Sequence, residues 1–442
     1  MERLTLFHDV LDIDGRYVLI NTKNSAAIEL DSENYLLYKK NKDTFINIIS
    51  TEEKQLLRDM EFITNKTEND EIFINKFNYH ISKFKDYDLL KLDIAITPVC
   101  NFRCTYCYES FSKNKITDKV TDEIRKNLLD NISKYVLDVI AKNQDLKTVQ
   151  IVWFGGEPLI EIDLLLKISQ KLKEITDNYS ITLEIIIVTN GYLLKPEILI
   201  SGNIPIKYIQ VTIDGTKEVH NKKRILKNGK PTFDTILKNI EKSLYEGLQI
   251  VLRINVDKEN IETMYNFLEF INNKFRNFID SKQLYIDISR IFGTEKSLDY
   301  YSFFDKKNKL TPMKFSEDSI FSFGTIGAFC SAETYNSNII LDIFGNTYQC
   351  WNHVYNKQDV SGHILDKSIT KEKIQNRLKY IEKASLDNFP ACFKCPYVGI
   401  CGGLCPDIRL NILNGEENNL YPIKCKEIIQ NQLSTYYKSV RV

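Results

Sequence analysis

The chain has 442 residues, enough for about three domains at ~150 residues each, and at 43% hydrophobic and 27% charged it has the composition of a globular protein. Lysine plus arginine number 59 and aspartate plus glutamate number 59, so no global field draws the chain to nucleic acid or to an anionic membrane. No apolar run nears the ~18 residues that a membrane span needs, and MERLTLFHDVLD lacks the basic-then-apolar order of a secretory signal, so the expected compartment is the cytoplasm. Thiols stay reduced there, and ten cysteines in such a chain argue for metal or redox chemistry over disulfides. They are unevenly placed: none before Cys100, then Cys100, Cys104 and Cys107, none over 108–329, and seven from Cys330 to Cys425.

That distribution predicts three segments, a small domain over 1–85, a middle domain over 86–295 and a cysteine-rich one over 296–442. The first reads as an α/β unit: LTLF, RYVLIN after Gly15, SAAIEL, the helical DSENYLLYKK, and a second helix from Ser50, where Ser50 and Glu53 form a capping-box pattern. From Lys91 strand-like and helix-like runs alternate. Strands are expected at 91–97, 148–154, 181–189, 207–214, 249–256 and 283–290, with TDEIRKNLLDNISKYVLDVI and FDTILKNIEKSLYEG among the helices between them. Six βα units in series imply a parallel sheet able to curl into a partial barrel, and apolar strands such as VQIVWF and EIIIV suit a sheet covered on its faces. After about 295 the periodicity weakens, and bound metal is expected to supply part of the stability there. KKNK and NKKR read as solvated faces.

Directly after the first barrel strand comes Thr97-Pro98-Val99-Cys100-Asn101-Phe102-Arg103-Cys104-Thr105-Tyr106-Cys107. Three thiolates at this spacing can hold a four-iron, four-sulfur cube and leave its fourth iron without a protein ligand. A zinc knuckle is the alternative, though zinc spacing usually comes as two CxxC-like pairs and no nearby histidine completes a tetrahedron. The other strands also end in polar or glycine-rich segments, on the rim where a barrel keeps its active site. These are Trp153-Phe154-Gly155-Gly156-Glu157-Pro158, Thr189-Asn190-Gly191, Thr212-Ile213-Asp214-Gly215 and Arg253-Ile254-Asn255-Val256-Asp257. Glycines admit a ligand close to the backbone, Glu157 can accept from an ammonium, and Asn190 or Asp214 from ribose hydroxyls.

CxxxCxYC after the first strand with GGEP after the second resembles the radical S-adenosylmethionine (radical SAM) enzymes. The resemblance implies a partial (β/α)6 barrel in which Cys100, Cys104 and Cys107 hold a [4Fe-4S] cluster and Tyr106 flanks the adenine. Glu157, with Gly155 and Gly156, would bind the methionine amino group, and Asn190, Thr212 and Asp214 would complete the cofactor site. It also implies reductive cleavage of S-adenosylmethionine to a 5′-deoxyadenosyl radical that abstracts hydrogen from a substrate. The segment TIDGTKEVHNKKR, with His220 and Arg224, is shared among several branches of these enzymes, and His220 by itself reads more simply as a structural hydrogen-bonder than as a proton shuttle.

The second cysteine group reads Cys330, then Gly345-x4-Cys350, then Cys392-x2-Cys395-x5-Cys401-x3-Cys405, and last Cys425. It resembles the SPASM extension of radical SAM enzymes that modify peptides and proteins. By position, Cys392, Cys395, Cys401 and Cys425 would ligate one auxiliary cluster and Cys330, Cys350 and Cys405 the other, for three [4Fe-4S] clusters in all. Some relatives add a cysteine six residues after the first, where this chain has Asn336, which would leave an iron open to a substrate thiolate. Sulfatase-maturating relatives place a catalytic aspartate directly after the Gly-x4-Cys cysteine, where this chain has Trp351. The N-terminal unit resembles the small winged-helix-like domains with which peptide maturases grip a leader peptide, a packing appendage being the alternative.

The expected protein is therefore an α/β radical SAM oxidoreductase of the cytoplasm. It would modify, by a thioether-type cross-link, a ribosomally synthesised precursor peptide with a leader, taking electrons from a donor such as flavodoxin or ferredoxin. Neither nucleic acid nor membrane is expected as a partner. The alternatives are an anaerobic sulfatase-maturating, formylglycine-generating enzyme and a non-catalytic iron–sulfur electron carrier.

Overall fold

In the computed structural model the described residues are 2–22, 24, 26–42, 44–64, 88–107, 116, 119–291, 296, 338–366, 382–385, 388–393, 395–398, 405–415, 426–427, 429–430 and 433–434. The N-terminal unit holds strands β1 (Arg3–Leu4), β2 (His8–Ile13), β3 (Arg16–Asn21) and β4 (Ala27–Leu30), helices α1 (Ser32–Lys40) and α2 (Thr51–Asp59), and strand β5 (Ile63–Thr64). Strands β2, β3 and β4 form an antiparallel meander, and β1 pairs with β5. The capping box forms as read: Ser50 Oγ accepts from Glu53 N at 3.2 Å and Glu53 Oε2 from Ser50 N at 2.8 Å. The run LTLF is not one strand. β2 was missed, although the tight turn that ends it was visible, since Asp14 (φ 53°) and Gly15 (φ 86°) supply the two left-handed positions of a two-residue hairpin.

One face of this meander packs on its own helices through Leu19, Leu30, Tyr38, Phe45, Leu57 and Phe62. The other, through Leu11, Ile13, Val18 and Ile20, packs on Tyr397, Ile429 and Leu433 from the far end of the chain. Asp9 accepts hydrogen bonds there from the hydroxyl of Tyr397 and from Gln430 Nε2 (2.9 Å), and Lys426 lies 3.6 Å away. The N-terminal unit thus docks on the cysteine-rich segment.

The six barrel strands lie within one or two residues of their expected bounds: β6 (Leu89–Thr97), β7 (Thr148–Gly155), β8 (Thr182–Thr189), β9 (Ile206–Thr212), β10 (Ile250–Val256) and β11 (Leu284–Arg290). They are parallel and in sequence order. Helices α3 (Asp122–Lys142), α4 (Ile162–Asn178), α5 (Pro196–Ser201), α6 (Lys217–Lys223), α7 (Phe233–Tyr245) and α8 (Met264–Asp280) lie between them. Leu128, Ile132, Val136 and Ile140 recur every fourth residue of α3, and Phe233, Ile236, Ile240 and Leu244 are spaced three and four apart on α7, so each helix presents one apolar stripe to the sheet.

Two expectations change. First, only one face of the sheet is uniformly apolar; the other mixes the buried Ala95, Val152, Phe154 and Ile186 with polar positions. Ile94, Ile151, Trp153, Ile185, Ile187, Val211 and Ile254 are fully buried, while the alternate positions Tyr208, Gln210, Arg253, Asn255 and Asp287 are half-buried and polar. Burial, then Asp93 of β6 and Asp287 of β11, push the Tyr208 phenol up. Asp93 aligns with Val152, Ile186 and Tyr208 in the strand register, and Arg253 with Asp287, so these polar groups share one face of the sheet. Second, the cysteine-rich segment contributes to the barrel's own sheet: β12 (Asn338–Asp342) pairs parallel to β6, and β13 (Asn346–Tyr348) and β14 (Gly362–His363) follow antiparallel to give nine strands. Ile340, Leu341, Tyr348 and Tyr355 belong to the main core. The short run NIILD carries too little periodicity to show this; the partner edge of β6 decides it.

Candidate functional site

The cysteine loop starts where β6 ends, and the end of β7 is built against it. Gly156 N donates to Thr97 O at 2.8 Å and Glu157 N to Val99 O at 2.9 Å. A Cβ on Gly156 would lie 2.4 Å from Val99 O, and one on Gly155, where φ is +118°, 2.6 Å from Thr97 O. The two glycines are therefore demanded by backbone meeting backbone. The other side of the loop is held by the segment after α6: Arg103 N donates to Ile225 O, Thr105 N to Lys223 O and Lys227 N to Asn101 O, each at 3.0 Å, with Phe102 and Leu226 in an antiparallel bridge.

Glu157 is fully buried, and its carboxylate is used within the protein. Oε1 accepts from Thr189 Oγ1 (2.6 Å) and Leu159 N (3.1 Å), and Oε2 from Asn190 N (2.8 Å), which ties β7 to β8. An ammonium would have to share an oxygen that already accepts. Burial pushes the carboxyl above its ordinary range against the pull of these donors. Asn190 Nδ2 donates to Asn101 Oδ1 at 2.8 Å and lies 3.9 Å from the Cys100 sulfur. Thr212, buried, is the last residue of β9.

Asp214 is fully buried, and its carboxylate accepts from the hydroxyl of Tyr106 and from Asn255 N (3.3 Å). The Tyr106 hydroxyl also accepts from Arg224 Nη1 (2.7 Å) and Asn255 Nδ2 (3.3 Å). Burial pushes the Asp214 carboxyl up, with Arg224 and Tyr106 pulling the other way. His220 has no exposed surface; burial, and then Arg224, hold its imidazole neutral. It is a structural hydrogen-bonder. Beside it Lys223 and Asp257 form a buried ion pair between α6 and the end of β10.

Burial pushes the Cys100 thiol up to about 12 and the Cys104 thiol to about 11, and neighbouring thiols add to both shifts. Arg224 pulls Cys104 the other way. Among the described residues no three His, Cys, Asp or Glu side chains converge on a single ion. Arg224 Nε and Asn101 Nδ2 are buried with no partner among the described residues, two donors beside the cysteine loop that a bound acceptor would satisfy. The donors and the thiols fit a cluster with a small molecule that bears an acceptor group such as a carboxylate.

Of the second cysteine group, Cys330, Cys401 and Cys425 lie outside the described residues, as does Asn336. Cys392 lies in the one-turn helix Pro390–Phe393, and Cys395 follows it, packed with Tyr397 under the N-terminal meander. Cys405 precedes helix α9 (Pro406–Leu413), and Cys350 packs with Leu410 of that helix. Trp351 stacks on Phe154 with ring centres 4.2 Å apart and donates from Nε1 to Asp93 Oδ2 at 2.7 Å. The residue after Cys350 thus touches the strand that leads into Gly155-Gly156. Asp93 escaped the sequence reading because it sits inside an apolar strand; its one signal was being a carboxylate in LKLDIAIT. Asn101 and Thr232 escaped as well, since neither belongs to a recognisable pattern.

Residues 94–271 match the radical SAM superfamily. The cysteine-type anaerobic sulfatase-maturating enzyme of Clostridium novyi (strain NT) is 24% identical over 372 residues, 78% of this chain and 96% of that protein. The GTP 3′,8-cyclase of Helicobacter pylori is 30% identical over 186 residues, 41% of this chain and 51% of that one. The solved structure of native anSMEcpe with bound AdoMet superposes with a TM-score of 0.57 at 20% identity, covering 79% of this chain and 98% of that one, a likeness of fold. Among the described residues no helix is long and apolar enough to cross a membrane. With its thiols, glycines and strand ends assembled on one rim, the chain carries a domain of the radical SAM superfamily over residues 94–271.

Proposed function

We propose that the protein is a radical SAM maturase that modifies a peptide or protein. Cys100, Cys104 and Cys107 would hold the cluster, and S-adenosylmethionine would lie between them and the ends of β7, β8 and β9. The observation that carries this is the pair of buried, unpartnered donors, Arg224 Nε and Asn101 Nδ2, beside the three thiols. Arg224 suits the methionine carboxylate, as a planar guanidinium does any carboxylate. Asn190 and Thr212 offer polar atoms at the rim, Gly155 and Gly156 let the ligand reach the backbone, and the Tyr106 hydroxyl is held by Asp214 just past the end of β9. When bound, the cluster and S-adenosylmethionine supply a one-electron cleavage that yields methionine and a 5′-deoxyadenosyl radical. The half-buried polar face around Tyr208, Arg253 and Asp287 would receive the substrate.

The finer reading is a thioether-type cross-link in a ribosomally made, cysteine-containing peptide. It rests on the SPASM-like cysteines, with auxiliary clusters on Cys392, Cys395, Cys401 and Cys425 and on Cys330, Cys350 and Cys405. The N-terminal unit would hold the leader on the outer edge of β4, which pairs with no other strand among the described residues. Flavodoxin or ferredoxin would supply electrons. Sulfatase maturation is the second reading. The Clostridium novyi relative favours it, and although Trp351 replaces the expected aspartate, it brings the Asp93 carboxylate within one hydrogen bond of that position.

The test is anaerobic reconstitution followed by S-adenosylmethionine and dithionite, with 5′-deoxyadenosine measured. A sulfatase-derived cysteine peptide and cysteine-containing peptides encoded beside the gene are then supplied. Loss of two hydrogens from a peptide supports the cross-link, and conversion of cysteine to an aldehyde supports sulfatase maturation. A protein that binds iron and never forms 5′-deoxyadenosine would be an electron carrier, and the proposal would fall.

A further inference from the structure

Five residues close a ring of hydrogen bonds against the cysteine loop. Asp214 N donates to His220 Nδ1 at 3.2 Å, and His220 Nε2 meets Thr232 Oγ1 at 3.0 Å. Thr232 Oγ1 donates to the Arg224 carbonyl at 2.5 Å. Arg224 Nη1 donates to the Tyr106 hydroxyl at 2.7 Å, and that hydroxyl donates to Asp214 Oδ2. Every direction is forced. A backbone amide only donates, so Nδ1 accepts, and the imidazole carries its one proton on Nε2. Thr232 Oγ1 accepts that hydrogen bond and donates its own hydrogen to the Arg224 carbonyl, while the Arg224 guanidinium can only donate. His220 and Asp214 are fully buried, Thr232 is 1% exposed and Arg224 8%, so the three links that join these four residues are shielded from water.

We propose that His220 and Thr232 are positioning residues. Neither touches the thiols, yet together they fix the backbone at Asp214 and at Arg224, and through these the hydroxyl of Tyr106. Asn221 Oδ1 accepts from both Thr232 N (2.9 Å) and Phe233 N (3.0 Å), which seats the threonine at the start of α7 independently of its hydroxyl. The backbone on either side of Arg224 pairs with the cysteine loop through Lys223 O and Ile225 O. A displaced Arg224 therefore shifts both its own side chain and the loop that carries Cys104. The inference rests on reading that loop as the S-adenosylmethionine site.

The test uses the reconstituted full-length protein with Thr232→Val, Thr232→Ser, His220→Asn and His220→Gln. Valine keeps the shape of threonine without the hydroxyl, serine keeps the hydroxyl, and the two histidine variants each keep one ring nitrogen's function and lose the other. Measured are iron content, Kd for S-adenosylmethionine, KM and kcat for 5′-deoxyadenosine formation with dithionite, and the change in the electron paramagnetic resonance of the reduced protein on adding S-adenosylmethionine. Thr232→Val is expected to keep its iron, raise Kd and KM about fivefold and alter the resonance change, with Thr232→Ser within about twofold of wild type. Thr232→Val matching wild type in KM and resonance would overturn the proposal, as would activity falling only in proportion to lost iron. Should Thr232→Val not fold, wild-type behaviour of both histidine variants would overturn it equally. A wild-type protein that fails to bind S-adenosylmethionine would refute the underlying reading of the loop instead.

Discussion

Gly156→Ala tests whether the turn after β7 and the cysteine loop are one object. The added Cβ would sit 2.4 Å from Val99 O, 2.6 Å from Val99 C and 3.0 Å from Cys100 N, against an optimal separation of about 3.5–4.0 Å. All three are backbone atoms, so no side chain can swing aside, and the Val99–Cys100 peptide must move by roughly 1 Å. That movement strains the Gly156 N to Thr97 O and Glu157 N to Val99 O bonds. Overpacking of about 2–3 kcal/mol plus two weakened hydrogen bonds of about 1 kcal/mol each gives a loss of about 4–5 kcal/mol. Gly229→Ala is the contrast: Gly229 has a positive φ, +81°, which Gly156 does not, but a Cβ there meets nothing within 4 Å, so only the backbone preference of about 1–2 kcal/mol is lost. Denaturant unfolding under nitrogen gives the stabilities, and iron analysis after reconstitution reports the loop. Gly156→Ala should lose stability and the iron of the first cysteine group, and Gly229→Ala should keep that iron. Full iron and unchanged unfolding in Gly156→Ala would show that the loop is not seated on the glycines.

Replacing Cys100, Cys104 and Cys107 together by alanine should remove about four of about twelve irons and abolish 5′-deoxyadenosine formation; zinc in place of iron in fully active protein would contradict this. Asp9→Asn should cost about 2 kcal/mol by weakening the contact between the N-terminal meander and Tyr397, Gln430 and Lys426. Burial opposes ionisation of Asp9, but the Tyr397 hydroxyl, Lys426 and Gln430 outweigh it and hold the carboxyl below its ordinary value. The stability it adds is therefore fully present above the unfolded value of about 3.9 and fades as pH falls through the lower folded value. The difference in Tm between wild type and Asp9→Asn should be flat from about pH 8 to pH 5 and shrink in stronger acid; a difference that grew there would reverse the sign of the argument. Trp351→Phe keeps the stack on Phe154 and deletes the donor to Asp93, a carboxylate only 1% exposed, for a cost of about 2 kcal/mol by denaturant unfolding. An unchanged midpoint would mean that Asp93 draws nothing from the indole.

The six barrel strands, their order and the Ser50–Glu53 capping box were legible in the sequence because they follow from local chemistry. Apolar runs of strand length alternate with 3.6-period stripes, and a side-chain oxygen caps a helix three residues on. The rim assembled for the same reason: in consecutive parallel βα units every strand ends on one side, so Cys100, Gly156, Asn190 and Asp214 meet without long-range information. What joined elements far apart in sequence was decided by tertiary structure alone. The pairing of β12 with β6, the packing of the N-terminal meander on Tyr397 and Leu433, and the Trp351 to Asp93 bond each satisfy an edge, a face or a buried charge whose partner lies hundreds of residues away. The same holds within the site, where the sequence presented Glu157 and Asp214 as free acceptors. Fully buried carboxylates need donors, and the fold supplies them from Thr189, Asn190, Tyr106 and Asn255, groups that no short-range spacing could have matched to them.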